Sequence, residues 1–185
     1  VDVQMLSSNI IIIIGQTKAG GVDESVIIKS IDGGENWTTL KVEQGAFYND
    51  MEFVDENTGW ITANNRKALK TTDGGINWTS FALPSTIGFN YSYSLDFIDA
   101  NNGLISTGLA RQVVKTTDGG NTWRVIDISI GGSSFSPSLV YFSTGTAFML
   151  KTGGGLIKSV DHGENWSDVS TVPDGYGDKI VFDSP

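Results

Sequence analysis

Cysteine is missing from all 185 residues, which excludes disulfides, thiolate nucleophiles and cysteine-built zinc sites. A single histidine, His162, falls inside a turn and reads as a solvent-facing residue, so a His-dependent triad has no basis. Positive charge is scarce. Twelve Lys and Arg stand against 21 Asp and Glu, a net −9 with a pI near 4.4, and nucleic acid is excluded as a partner because phosphate contacts need clustered cations. No apolar run approaches the roughly 20 residues of a membrane helix. The longest, Ile10 to Ile14, is five residues and reads as a buried central strand, not as a direct membrane insertion. No helical period persists anywhere, so no strand-to-helix glycine loop exists to cradle phosphate. Nothing in the pattern calls for a metal or a cofactor.

What the chain has is glycine, 23 residues of it, and one phrase written four times. The copies are Ser30-Ile31-Asp32-Gly33-Gly34-Glu35-Asn36-Trp37, Thr71-Thr72-Asp73-Gly74-Gly75-Ile76-Asn77-Trp78, Thr116-Thr117-Asp118-Gly119-Gly120-Asn121-Thr122-Trp123 and Ser159-Val160-Asp161-His162-Gly163-Glu164-Asn165-Trp166. Their aspartates advance by 41 (32 to 73), 45 (73 to 118) and 43 (118 to 161) residues, the period of one small four-stranded sheet repeated. Each copy has a structural task. The aspartate folds its carboxylate onto turn N–H groups, Gly34, Gly75, Gly120 and Gly163 supply positive φ, and the tryptophan offers an apolar plate to a neighbouring sheet.

Every repeat reads as four strands around that turn. In the second they are Met51 to Val54, Trp60 to Ala63, Ala68 to Thr72 and Trp78 to Leu83, with a turn at Asp55 to Gly59. The third opens on Tyr91, Tyr93, Leu95 and Phe97 alternating with polar residues, and Asn101-Asn102-Gly103 signals its first hairpin. The first begins at Val3 to Leu6. The fourth runs through Leu139 to Phe142, Ala147 to Lys151 and Leu156 to Ser159, with Gly153-Gly154-Gly155 as a tight connection. The expected architecture is all-β: one region, 1–185, of four-stranded antiparallel blades at about 1–43, 44–86, 87–130 and 131–172. A fifth repeat starts in 173–185, where 178–183 matches a first strand. We expect these blades to be part of a β-propeller ring of six to eight. A self-closed ring of four or five, or a homo-oligomer of two such arcs, is the alternative.

The repeated phrase resembles the Asp-box, or BNR repeat, of sialidase-like propellers, Vps10-type receptors and xyloglucan-active glycoside hydrolases. The wording Lys70-Thr71-Thr72-Asp73-Gly74-Gly75 and Lys115-Thr116-Thr117-Asp118-Gly119-Gly120 is most similar to photosystem II assembly factors of the Ycf48 type and their relatives in non-photosynthetic bacteria. So is Phe53-Val54-Asp55-Glu56-Asn57-Thr58-Gly59-Trp60. The likeness covers essentially the whole chain and implies the propeller fold. It implies no single function, because this repeat is a scaffold that hosts unrelated activities.

Arg66 and Arg111 each precede their box aspartate by seven residues, which places both in the connection between second and third strands. In sialidase-like propellers that connection lies on the face opposite the boxes, where two guanidinium groups can grip a carboxylate. Ser25 and Gly154 stand at the same offset in the other two repeats. The links between blades carry Phe47, Tyr48, Phe89, Tyr91, Phe135 and Tyr176, and arginines beside aromatics suit a protein or glycan ligand. The competing expectation is that the aromatics fold inward and the arginines are plain turn residues. A sialidase would need a third rim arginine, and Arg124 directly follows a box tryptophan on an outer strand. A two-carboxylate hydrolase would draw on Asp23, Glu24, Glu43, Asp50 or Asp174, whose spacing singles out no pair. The sequence therefore points to a non-catalytic, exported platform, extracellular, periplasmic or on the cell surface, binding through Arg66, Arg111, Tyr48, Phe89, Tyr91 and Tyr176. The alternative is part of a sialidase-like or other glycoside hydrolase.

Overall fold

The computed structural model describes residues 1–87, 94–107, 111–130, 135–152 and 155–169, with backbone alone for 135–137. Tyr91, Phe89, Gly154, Tyr176, Asp174 and the expected strand at 178–183 lie outside the described residues. Among those described, sixteen strands form four antiparallel sheets, each taking four consecutive strands in chain order. Blade 1 is β1 (Asp2–Met5), β2 (Ile11–Ala19), β3 (Val22–Ser30) and β4 (Thr38–Gln44). Blade 2 is β5 (Tyr48–Phe53), β6 (Gly59–Ala63), β7 (Lys67–Thr71) and β8 (Thr79–Ala82). Blade 3 is β9 (Ser94–Phe97), β10 (Gly103–Ser106), β11 (Gln112–Thr116) and β12 (Arg124–Asp127). Blade 4 is β13 (Phe135–Tyr141), β14 (Ala147–Lys151), β15 (Leu156–Ser159) and β16 (Ser167–Val169). Two compact units divide the chain, Val1–Leu83 with blades 1 and 2 and Pro84–Pro185 with blades 3 and 4.

The isoleucine run shows why sheets form here. Its β-branched side chains suit a pleated surface and alternate across it, with Ile12 and Ile14 fully buried and Ile11 and Ile13 half-buried. In the first unit the core between blades joins Ile12, Ile14 and Ile27 to Met51, Phe53, Ile61 and Leu69. In the second, Leu104 and Val113 join Leu139, Tyr141, Met149 and Ile157. Each fully buried side chain of this kind contributes about 1.5–3 kcal/mol.

The four boxes are built as expected. Asp32 Oδ1 accepts from the Asn36 backbone N–H at 2.9 Å and Oδ2 from the Asn36 amide at 2.7 Å. The Ser30 hydroxyl donates to Asp32 at 2.8 Å and accepts from the Gly34 N–H at 2.8 Å. Asp73, Asp118 and Asp161 make the same backbone contact at 2.9 Å with Asn77, Thr122 and Asn165. In three boxes a glycine N–H is spent on the blade's own first turn, Gly33 on Asn9, Gly74 on Asn57 and Gly119 on Asn101, all at 2.9 Å, and in the fourth the His162 N–H bonds the Gly145 carbonyl at 2.8 Å. His162 occupies the left-handed position, φ 59°, that Gly33, Gly74 and Gly119 hold in the other boxes. The indole N–H of Trp37, Trp78 and Trp166 donates back to the carbonyl of Gly34, Gly75 and Gly163. Trp123 departs from this pattern, its buried indole N–H having no acceptor among the described residues.

Candidate functional site

The connections at the strand ends away from the boxes differ from blade to blade. Between β6 and β7 the chain turns through Asn65 and Arg66, both left-handed at φ 59° and 55°, and Arg111 opens β11 at φ 53°. A side chain in that region costs about 1–2 kcal/mol, which glycine would avoid. The carbonyl of Arg66 accepts from Leu83 N–H at 2.8 Å and that of Arg111 from Ile128 N–H at 2.9 Å, so both residues anchor the exit from their blade's last strand. Two repeats thus hold an arginine in one strained conformation with one backbone role. The Arg111 Nε–H is buried with no acceptor among the described residues, and such a donor favours a bound acceptor.

Blade 1 breaks the pattern through length. Its strands β2 and β3 each run nine residues to a hairpin tip at Gly20 and Gly21, φ 60° and 86°. Ser25, expected in the connection, therefore lies within β3, fully buried, donating to the Ala46 carbonyl at 2.7 Å and accepting from Tyr48 N–H at 3.1 Å. The fixed offset failed because the hairpin is longer. Asp23 and Glu24 flank the tip, paired with Lys18 at 3.3 Å and with the Gln44 amide at 3.1 Å.

Tyr48 turns inward and is only 4% exposed. Its hydroxyl donates to Glu43 at 3.0 Å, and Glu43 also pairs with Lys67 and, at 3.5 Å, with Lys41. Burial and the neighbouring Glu43 charge push the phenol well above the ordinary tyrosine range. Burial raises the Glu43 carboxyl, but hydrogen bonds from Lys67 and Tyr48 outweigh it and the net shift is downward. A tyrosine beside a glutamate is the pairing a sialidase resemblance implies, yet a buried phenol held protonated is a poor nucleophile. Asp50 bonds the N–H of Met51 at 3.1 Å. Phe47 is half-buried, its N–H held at 3.2 Å by the Asn64 side chain.

Charged groups also collect beside the boxes of the second unit. Glu164, in the fourth box, accepts from Arg124 at 2.5 Å and from Lys115 at 2.7 Å, and these two cations lower its carboxyl. Arg124 is committed there rather than to a rim. His162 is exposed, and its Nδ1 shares a 2.7 Å hydrogen bond with the Tyr141 hydroxyl. Burial first, then the charges of Asp99, Asp96 and Glu164, push Tyr141 up to about 12. The lysine three residues before each box aspartate escaped notice as a functional position. Lys29 donates to the Gly74 carbonyl of the next blade at 2.8 Å, the counterpart of Lys115 reaching Glu164. Lys70 and Lys158 hold the same place in their repeats and stand 5.1 Å over Trp60 and 5.5 Å over Phe148.

Four-stranded antiparallel sheets repeated around such turns define a protein of the Asp-box β-propeller class, built as a scaffold with variable connections. The sequence profile described as photosynthesis system II assembly factor YCF48 matches residues 29–177, and the chain belongs to that family. Among solved structures it is similar to "YCF48 bound to D1 peptide", with 17% identity and a TM-score of 0.68 over 90% of this chain and 51% of that one. YCF48 from Cyanidioschyzon merolae shows 19% identity and a TM-score of 0.59 over 85% and 54%. The GH74 enzyme of Niastella koreensis shows 21% identity and a TM-score of 0.60 over 80% and 22%. The chain thus spans about half the length of the YCF48 structures it matches. No curated protein matches it.

Proposed function

We propose that this chain is a non-catalytic assembly platform that binds a protein partner, with Arg66 and Arg111 each contributing a guanidinium contact. Membership of the YCF48 family supports the reading, as does a solved relative bound to a D1 peptide. The observation that carries it is the presence of arginine at two left-handed positions where glycine would relieve strain, one of them with a buried Nε–H that has no acceptor among the described residues. A peptide carboxylate is the natural ligand group for such a donor. The inward turn of Tyr48 leaves it a supporting role beneath the Lys67 side of the connection.

The test uses that D1 peptide and a panel of unrelated peptides with free C-termini, titrated by fluorescence anisotropy. Arg66→Gly and Arg111→Gly remove the guanidinium while relaxing the backbone, so folding is preserved. A loss of about tenfold in affinity, roughly 1.4 kcal/mol, is expected for each. Unchanged affinity in the double variant would sink the reading. A glycan ligand, or a share in a larger glycoside hydrolase, rests on likeness to GH74 and is the competing reading. Turnover of aryl glycosides by the full-length protein would favour it. We also place the platform outside the cytoplasm, supported by the acidic balance of −9, and cell fractionation tests this.

A further inference from the structure

Three of the four boxes place glycine directly after the aspartate: Asp32-Gly33, Asp73-Gly74 and Asp118-Gly119. In a flexible chain that pair is chemically unstable. Glycine has no Cβ to shield its backbone nitrogen, which attacks the aspartate Cγ. A bond forms between nitrogen and Cγ, the Cγ hydroxyl leaves with the amide hydrogen as water, and a five-membered succinimide results. Water then reopens the ring. Addition at the Cγ carbonyl restores aspartate, whereas addition at the α-carbonyl gives isoaspartate, in which the main chain runs through Cβ and Cγ. Only water is consumed and the mass is unchanged. The attack requires a neutral carboxyl free to meet the following nitrogen, and a nitrogen free to approach.

In the closed box neither group is free. Asp32 is held by the Asn36 N–H and amide at 2.9 and 2.7 Å and by the Ser30 hydroxyl at 2.8 Å. Asp73 is held by the Asn77 N–H and amide at 2.9 and 2.8 Å and by the Thr71 hydroxyl at 2.9 Å. Asp118 is held by the Thr122 hydroxyl and N–H at 2.6 and 2.9 Å and by the Thr116 hydroxyl at 2.9 Å. Each carboxylate is thus committed to the residue four positions on. The same bonds, led by the Asn36 N–H, the Asn77 N–H and the Thr122 hydroxyl, keep all three carboxyls below their ordinary range and therefore ionised, the unreactive form. The nucleophiles are tied as well, since Gly33, Gly74 and Gly119 donate their N–H to Asn9, Asn57 and Asn101 at 2.9 Å. The fourth box is an internal control. There Asp161 precedes His162, whose side chain packs its ring against Gly145.

We propose that Asp32, Asp73 and Asp118 are latent isoaspartate sites, silent in the closed box and reactive once that turn opens. Isoaspartate adds a carbon to the main chain and takes it from the side chain, so the carboxylate no longer reaches Asn36, Asn77 or Thr122. A reacted box cannot close again. Transient opening of a blade is thereby converted into a permanent chemical change, and each site reports its own turn. This latency resides in the scaffold alone and is independent of any ligand at Arg66 or Arg111.

The whole 185-residue chain is aged in native buffer and in urea at one pH and temperature, and isoaspartate is located by peptide mapping with electron-transfer fragmentation. We expect isomerisation at all three sites to be at least about tenfold faster in urea, with Asp161 the slowest box aspartate there. Asn102-Gly103 is told apart because its deamidation adds mass, and Asp174-Gly175, outside the described residues, is mapped separately. Thr116→Val removes a hydroxyl that holds Asp118, so in native buffer isoaspartate should appear at Asp118 ahead of Asp32 and Asp73. Reacted chains returned to native buffer should unfold at lower urea than intact ones. Equal rates in native buffer and in urea overturn the proposal. So does a Thr116→Val variant whose three sites age alike, or a reacted chain that regains full stability.

Discussion

The two ends of each blade obey different rules. At the box end, four turns repeat the same aspartate and hydroxyl hydrogen bonds, the aspartate-to-backbone contact being 2.9 Å in every blade. At the other end no two connections are alike in residue content: a long hairpin closed by Gly20 and Gly21, a turn through Asn65 and Arg66, a loop ending on Arg111, and one ending on Gly155. The box end satisfies its own polar groups through short-range side chains, the Trp123 indole N–H alone lacking an acceptor among the described residues. At the opposite end the buried Arg111 Nε–H has no acceptor among the described residues. Structure is concentrated at the first and chemical freedom at the second.

The sharpest way to break that contrast is Thr116→Val. It leaves the buried Gly120 N–H without the hydroxyl that accepts it at 2.8 Å and should cost about 2–3 kcal/mol in urea unfolding, with peptide affinity unchanged. Acid acts next. The Thr122 hydroxyl and N–H hold Asp118 at about 2, and the Asn165 N–H and amide hold Asp161 at about 2. Both lie below the unfolded value near 3.9. Their contribution is complete above about pH 4 and is lost as pH falls toward 2, so the urea midpoint should drop through that window and Asp161→Asn should flatten the drop. Lys115→Ala tests the link between blades; Glu164 keeps Arg124, so a loss of about 1 kcal/mol is expected, without any change in ligand binding. Arg66→Gly has the smallest effect on folding, a gain of up to about 1 kcal/mol, and should be the variant that impairs binding. A box variant that altered affinity, or an arginine variant that destabilised the fold, would dissolve the contrast.

The same contrast governs what was legible in the sequence. The box turns are legible because the aspartate and hydroxyl contacts that lock them lie within four residues, as between Asp32 and Asn36. Strand order followed from the period, and strand ends were placed to within a few residues; β5 begins at Tyr48 rather than Met51 because a bulge at Asn49 lengthens it. Ser25 was misplaced because equal offsets assume equal hairpins, and β2 and β3 run past the length of β6 and β7. The inward turn of Tyr48 depended on Glu43 and Lys67, partners a linear pattern does not pair. Lysine before each box was plainly repeated, yet its partners lie 45 and 49 residues away, beyond any local signal.

The tryptophans make this architecture observable blade by blade. Each box contributes one indole, and Trp60 on β6 adds a fifth. Three box indoles donate to a glycine carbonyl at 2.8–3.0 Å while that of Trp123 is buried with no acceptor among the described residues. Their side-chain N–H resonances should therefore separate into a bonded group and one outlier. A single nitrogen-15 spectrum then reports which blade loosens first as denaturant, acid or ligand is added.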